Sequence, residues 1–70
     1  MTAEQLETLV KLMRGDMSSV AVRSAKLVLV DGLSQAEVAK KLGVRASAIN
    51  NGVKRYKEAN KEIRRVYFIN

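Results

Sequence analysis

The chain has 70 residues, a net charge of +6 and no Cys, His or Pro. A chain this short forms one domain with a modest core, here residues 1–70, and the lack of Cys and His argues against a zinc site or a disulfide framework. No carboxylate pair stands out against a cleft, so we expect no catalytic residues, no cofactor and no metal. Without a long apolar run or a signal-peptide pattern, we expect a cytoplasmic protein with no membrane partner.

The positive charge is concentrated in the C-terminal part of the chain. Residues 44–70 contain seven basic and two acidic residues, a net charge of +5, whereas residues 1–43 contain six basic and five acidic residues, a net charge of +1. A polyanion such as DNA is the simplest partner for this distribution. A cationic surface that only aids solubility is the alternative. A membrane surface is disfavoured because the basic segment has no wide, aromatic apolar face.

The first predicted helix follows Thr2, which is spaced from Gln5 as in a capping box. The apolar residues behind it recur at i, i+3, i+4 and i+7, which places them on one helix face. They are Leu6, Leu9, Val10 and Met13. We expect Gly15 to end this helix.

A second predicted helix begins at a cap, either Asp16, Ser18 or Ser19, and runs to about Asp31. Its apolar residues surround most of the helix, so we expect it to be the central and most buried one. The continuous apolar run at residues 27–30 also fits a strand. The helical flanks and the Gly32 stop signal favour a helix.

Residues 34–57 have the pattern of a helix-turn-helix. Ser34 and Glu37 are spaced as a capping box, Gly43 suits the left-handed end of a short helix, and a second helix can begin near Ala46. The predicted inward residues are Val38, Ala39, Leu42, Val44, Ile49 and Val53, with Gly52 at a close helix contact. A plain pair of antiparallel helices would obey the same packing rules. We therefore predict an all-α fold of four to five helices that contains a helix-turn-helix.

The outer face of the second helix in this unit carries Ser47, Asn50, Asn51 and Lys54 on one stripe. Asn is a poor helix former, but its amide can pair with the N6 and N7 edge of adenine in the major groove. We therefore expect these Asn residues to contact bases; the alternative is that they only fray or cap the helix. The candidate DNA-backbone contacts are Arg45, Lys54, Arg55, Lys57 and Gln35.

The inner face of that helix continues through Tyr56, Asn60, Ile63 and Tyr67, and the helix either runs unbroken or restarts after Lys57. Residues 60–70 form a possible dimerisation tail, which ends in the most aromatic stretch of the chain, residues 66–69. That stretch either packs on the domain's own core or makes a dimer contact. The candidate dimerisation residues are Ile63, Val66, Tyr67, Phe68 and Ile69. A homodimer would place two recognition helices on one face of the DNA.

Two resemblances to known families follow from these motifs. Residues 35–53 resemble the helix-turn-helix of Cro-type phage repressors through Ala39-Lys40, Leu42-Gly43-Val44 and Ser47-Ala48-Ile49-Asn50. In that family the positions that match Ala46, Ser47, Asn50 and Asn51 contact bases. Arg45 departs from it, because a Ser or Thr usually caps the recognition helix.

A longer resemblance, from about Val22 to Phe68, links the chain to the TrfB/KorA plasmid repressors and the related PapB-type adhesin regulators. It is carried by Leu29-Val30-Asp31-Gly32, by Gln35 through Val44, by Val53-Lys54-Arg55, and by Asn60 with Tyr67-Phe68. It implies a helical protein that binds operator DNA as a homodimer or a cooperative oligomer, on palindromic or repeated half-sites, and that controls plasmid or fimbrial genes.

These observations favour a sequence-specific, double-stranded DNA-binding transcriptional regulator, a repressor that acts by operator occlusion. The alternative is a helical protein-interaction module, such as an antitoxin or a polymerase-binding adaptor. Such a module needs apolar anchors at positions 47, 50, 51 and 54, where this chain has Ser, Asn, Asn and Lys. A non-specific nucleic-acid binder would carry mainly Lys and Arg on the same stripe.

Overall fold

Four helices form the part of the chain that the computed structural model describes, residues 1–68, and no strand occurs in it. They are α1 (Ala3–Leu12), α2 (Val20–Ala25, continued by a π-helical turn at Lys26–Val30), α3 (Gln35–Leu42) and α4 (Ala46–Tyr67). The predicted all-α class is confirmed.

Polar side chains define where the first three helices begin. At α1 the backbone N–H of Gln5 donates to Thr2 Oγ1 at 3.1 Å, and the Thr2 N–H donates to Gln5 Oε1 at 2.9 Å. Ser34 and Glu37 make the same reciprocal pair at α3, with both distances at 3.1 Å. Both predicted capping boxes are therefore confirmed. Of the three candidate caps for α2, Ser19 accepts the Val22 N–H.

The end of α1 differs from the prediction. The helix ends at Leu12, and the residue in the left-handed region is Arg14, with φ of 56°. Gly15 has another role, because a Cβ built on it would lie 2.5 Å from Tyr56 Oη. The chain turns at Arg14, whose left-handed backbone conformation is unfavourable for a residue with a Cβ atom. Gly15 leaves space for the tyrosine ring.

The apolar run of residues 27–30 is helical, so the strand alternative is wrong. The Asp31 N–H donates to Lys26 O at 3.1 Å, the i→i+5 bond of a π-helical turn. Gly32 then adopts φ of 78° and the Leu33 N–H closes the turn on Leu27 O at 3.0 Å, as predicted for this end.

The core consists of two adjoining clusters. The first contains Leu6, Leu9, Val10, Val22, Ala25 and Tyr56. The second contains Val38, Ile49 and Val53. Leu29 packs against both clusters, and α4 contributes buried residues to both. Helix α4 therefore joins the two clusters. The expectation that the second helix would be the most buried is confirmed: over residues 20–30 only Val20, Arg23 and Lys26 are exposed, a smaller share than in α1, α3 or α4.

Helix α4 crosses α2 at Gly52, where the two backbones nearly touch. A Cβ on Gly52 would press against the carbonyl oxygen of Ala21 and lie 2.8 Å from its Cα. Contacts this short with backbone atoms require one helix to move. The close packing predicted for Gly52 is therefore confirmed.

We expect Gly52→Ala to destabilise the protein by about 1–3 kcal/mol through overpacking, although Ala is the better helix former by about 1 kcal/mol. Thermal or urea unfolding followed by circular dichroism measures the change. Glu58→Ala, at an exposed position of the same helix, is the matched control and should unfold like the parent. A stabilised Gly52→Ala protein would contradict the close crossing.

Candidate nucleic-acid interface

Helices α3 and α4 are joined by the three residues Gly43, Val44 and Arg45. Gly43 has φ of 64°, and its N–H donates to Ala39 O at 2.9 Å, which ends α3 in the predicted left-handed conformation. Half-buried Val44 packs against the second cluster, as expected for a residue that fills the corner between the helices. Locally, two helices joined by a short loop pack around one small core.

Helix α4 presents a polar face on the side away from this core. Ala46, Ser47, Asn50, Asn51 and Lys54 are all exposed. The residues of the opposite side, Ile49, Gly52, Val53 and Tyr56, are all buried. The inward and outward assignments made from helical periodicity therefore agree with the structure over this part of α4.

A groove of about 330 Å³ brings the start of α3 to this face of α4. It is lined by Gln35, Asn50, Val53, Lys54, Lys57, Glu58 and Lys61. Four predicted site residues thus meet in one place, although Gln35 is far from the others in sequence. Ser47 and Asn51 lie on the exposed face outside the groove. Lys61 and Glu58 were not among the predicted residues, although Lys61 follows Lys54 by seven positions and so shares its helix face.

The cations near this face differ in how they are held. The Arg55 guanidinium lies 5.9 Å from the ring centroid of Tyr56, a cation–π arrangement. Arg45 is the exposed N-cap of α4, and its side chain makes no capping hydrogen bond. Arg65 donates to Glu62 Oε1 from Nε at 3.2 Å. This hydrogen bond lowers the pKa of the Glu62 carboxyl, and Arg65 thus forms an exposed ion pair within its own helix.

The C-terminal part of α4 extends past the core. The helix runs unbroken to Tyr67, but its buried face ends earlier: Ile63 is half-buried against the first cluster, whereas Tyr67 is 77% exposed. The predicted continuation of the inner face to Tyr67 is therefore wrong, because α1–α3 are too short to cover a 22-residue helix.

Of the remaining predicted tail residues, Val66 and Phe68 are also largely exposed, so the alternative that they pack on the core is wrong. Ile69 lies outside the described residues. Phe68 and the exposed Leu12 line a second groove, of about 570 Å³, between α1 and α4.

Residues 1–66 match the family model of the TrfB plasmid transcriptional repressor. The chain belongs to this family. The resemblance to the TrfB/KorA repressors is thereby confirmed, and this TrfB-family protein is a DNA-binding regulator. The match includes all of α1–α3 and α4 up to Val66. No significant match was found among curated proteins or solved structures. Within residues 1–68, none of the helices combines the length and the apolar character needed to span a bilayer.

The capping box of Ser34 and Glu37 at the start of α3 predicts that the stability of this TrfB-family protein depends on pH. Hydrogen bonds from the backbone and side chain of Ser34 lower the pKa of Glu37 from its ordinary 4.5. A depressed carboxyl pKa stabilises the fold above the unfolded-state pKa, and the stabilisation is lost as the pH falls through the folded-state pKa. We expect the free energy of unfolding of Glu37→Gln to depend less on pH than that of the parent below about pH 4.5. Urea unfolding at a series of pH values measures this dependence. Glu7→Gln, on the exposed side of α1, is the control; equal pH profiles for parent and Glu37→Gln would contradict the role of this carboxylate.

Proposed function

We propose that the protein is a sequence-specific repressor that occupies operator DNA and thereby occludes the transcription machinery. In this proposal α3 and α4 form the helix-turn-helix of residues 34–57 within a single domain, and α4 lies in the major groove. The observation that carries the proposal is the exposed Ser and Asn stripe on a continuous, basic helix of a repressor-family protein. Because its target is DNA, we place its action in the cytoplasm.

Base recognition would use the N-terminal part of α4. The amide of Asn50 or Asn51 can accept from N6 and donate to N7 of one adenine, a bidentate pair that no other base offers. Ser47 can donate or accept a hydrogen bond, and the methyl group of Ala46 can contact a thymine methyl. All four side chains are exposed, as such contacts require.

Backbone contacts would come from the groove between α3 and α4 and from its surroundings. Gln35, Lys54 and Lys57 line that groove beside Asn50. Phosphate contacts next to base contacts fix the register of a protein on its site. Arg45 at the start of α4 and Arg55 beside Tyr56 are the other two proposed contacts.

Changing Asn50 or Asn51 to Ala should weaken binding to the preferred operator by about 1–3 kcal/mol, because the bidentate pair with adenine is lost. Binding to random duplex DNA should change little. The measurement is fluorescence anisotropy with both DNAs, the operator being selected from a random duplex pool. Asn60→Ala is the matched control, since Asn60 is on the same helix but lines the groove between α1 and α4. Equal losses on both DNAs would make the two residues positioning residues.

We further propose that the protein binds palindromic or repeated half-sites as a homodimer or a cooperative oligomer. One recognition helix contacts only a few base pairs, whereas two helices about 34 Å apart contact a useful site. The exposed apolar end of α4 offers a contact surface: Val66, Tyr67 and Phe68, with Ile63 at its edge. Ile69, beyond the described residues, belongs to the same proposal.

A Val66→Ser, Phe68→Ser double variant should then remain folded, because both side chains are exposed, but should lose self-association. Analytical ultracentrifugation of the protein alone and on DNA measures the assembly. Binding to paired half-sites should weaken while binding to a single half-site is unchanged. Met17→Ser, another exposed apolar side chain, is the control. A parent protein that sediments as a monomer in both conditions would refute the proposal.

A further inference from the structure

The basic row on α4 extends further than base recognition requires. Lys54, Lys57 and Lys61 follow one another at i, i+3 and i+7, and all three are exposed. They line the same groove as Gln35 and Asn50. The row thus continues one turn beyond Lys57, the last of the backbone contacts proposed above.

The dimensions of DNA indicate what Lys61 meets. A helix rises about 1.5 Å per residue, so Lys61 lies roughly 16 Å along α4 from Asn50. The major groove is about 12 Å wide. If the axis of α4 crosses the groove obliquely, with Asn50 on base edges near the centre, a side chain on the same face and that far along the helix has passed the groove edge. The groups at that position are the phosphates of the flanking backbone.

Lys61 is also available for such a contact. No hydrogen bond or ion pair within residues 1–68 engages its ammonium group, whereas Arg65 is paired with Glu62. Arg64 lines the other groove, between α1 and α4. Lys61 is therefore the last cation of the described chain that lines the groove of Asn50.

The same groove contains one acidic residue, Glu58, which is exposed and makes no ion pair within the described residues. Its position between Lys57 and Lys61 brings a negative charge near the same phosphates. Because that charge repels phosphate, Glu58 should weaken binding to any DNA, and its effect should have the opposite sign to that of Lys61.

We propose that Lys61 contacts the phosphate backbone flanking the recognised bases, so that α4 engages DNA over its length from Ala46 to Lys61. The inference rests on the proposed function, namely that α4 lies in the major groove. Lys61 is a positioning residue: it adds affinity without selecting a sequence.

The test is the salt dependence of binding for Lys61→Gln, on a random-sequence duplex and on the tightest duplex selected from that pool. Each phosphate contact contributes about 0.9 to the slope of log K against log salt. Lys61→Gln should lower the slope by about 0.9 and weaken binding about eightfold at 0.1 M salt, equally on both DNAs. Glu58→Gln should bind both DNAs more tightly than the parent.

Two further variants separate the possible outcomes. Lys11→Gln removes the same charge from the exposed side of α1, outside this groove. Lys54→Gln removes a lysine that the proposed function already assigns to the DNA backbone. A loss for Lys61→Gln no larger than that for Lys11→Gln overturns the inference, because only net charge would matter. An unchanged slope for Lys61→Gln with a reduced slope for Lys54→Gln overturns the inference alone. Unchanged slopes for both overturn the proposed function as well.

Discussion

The rest of the structure depends on the close crossing of α2 and α4. Gly52 has no side chain, so α4 lies directly on the backbone of Ala21. This contact holds α4 between the two core clusters: Tyr56 enters the first, and Ile49 and Val53 enter the second. A larger residue at the crossing would separate the helices and open both clusters. The orientation of the exposed polar side of α4 follows from the same contact, because a helix held along one side exposes the other.

Helix α4 also shows that burial in the tertiary structure outweighs the local preference of the sequence for helix. Asn50, Asn51 and Gly52 are consecutive residues that disfavour helix, yet α4 is continuous through them. The buried side chains on either side of them supply the stability that the local sequence lacks. A polar face on a continuous, packed helix holds its groups in a defined geometry, as specific recognition of bases requires. The family match extends from α1 to nearly the end of α4, so the supporting helices are part of the repressor pattern and not only the α3–α4 pair.

Much of the local structure could be predicted from the sequence. The caps at Thr2 and Ser34, the left-handed Gly43 and the start of α4 at Ala46 lie where their residue types indicated. Each of these features depends on atoms within about four residues of one another, so the necessary information is local. The division of α4 into buried and exposed sides was equally accessible, because a helical repeat places residues on faces whatever they pack against.

The sequence by itself therefore determined the helix starts, the turn between α3 and α4, and the polar face of α4. Only the tertiary structure decided which groups from distant parts of the chain meet. Gly15 accommodates Tyr56 while Arg14 makes the turn, and the buried face of α4 ends at Ile63 because no shorter helix reaches further. The groove that joins Gln35 to the lysines of α4 is likewise determined only by the tertiary structure. These features depend on the lengths and crossing of separate helices, which no local pattern of residues specifies.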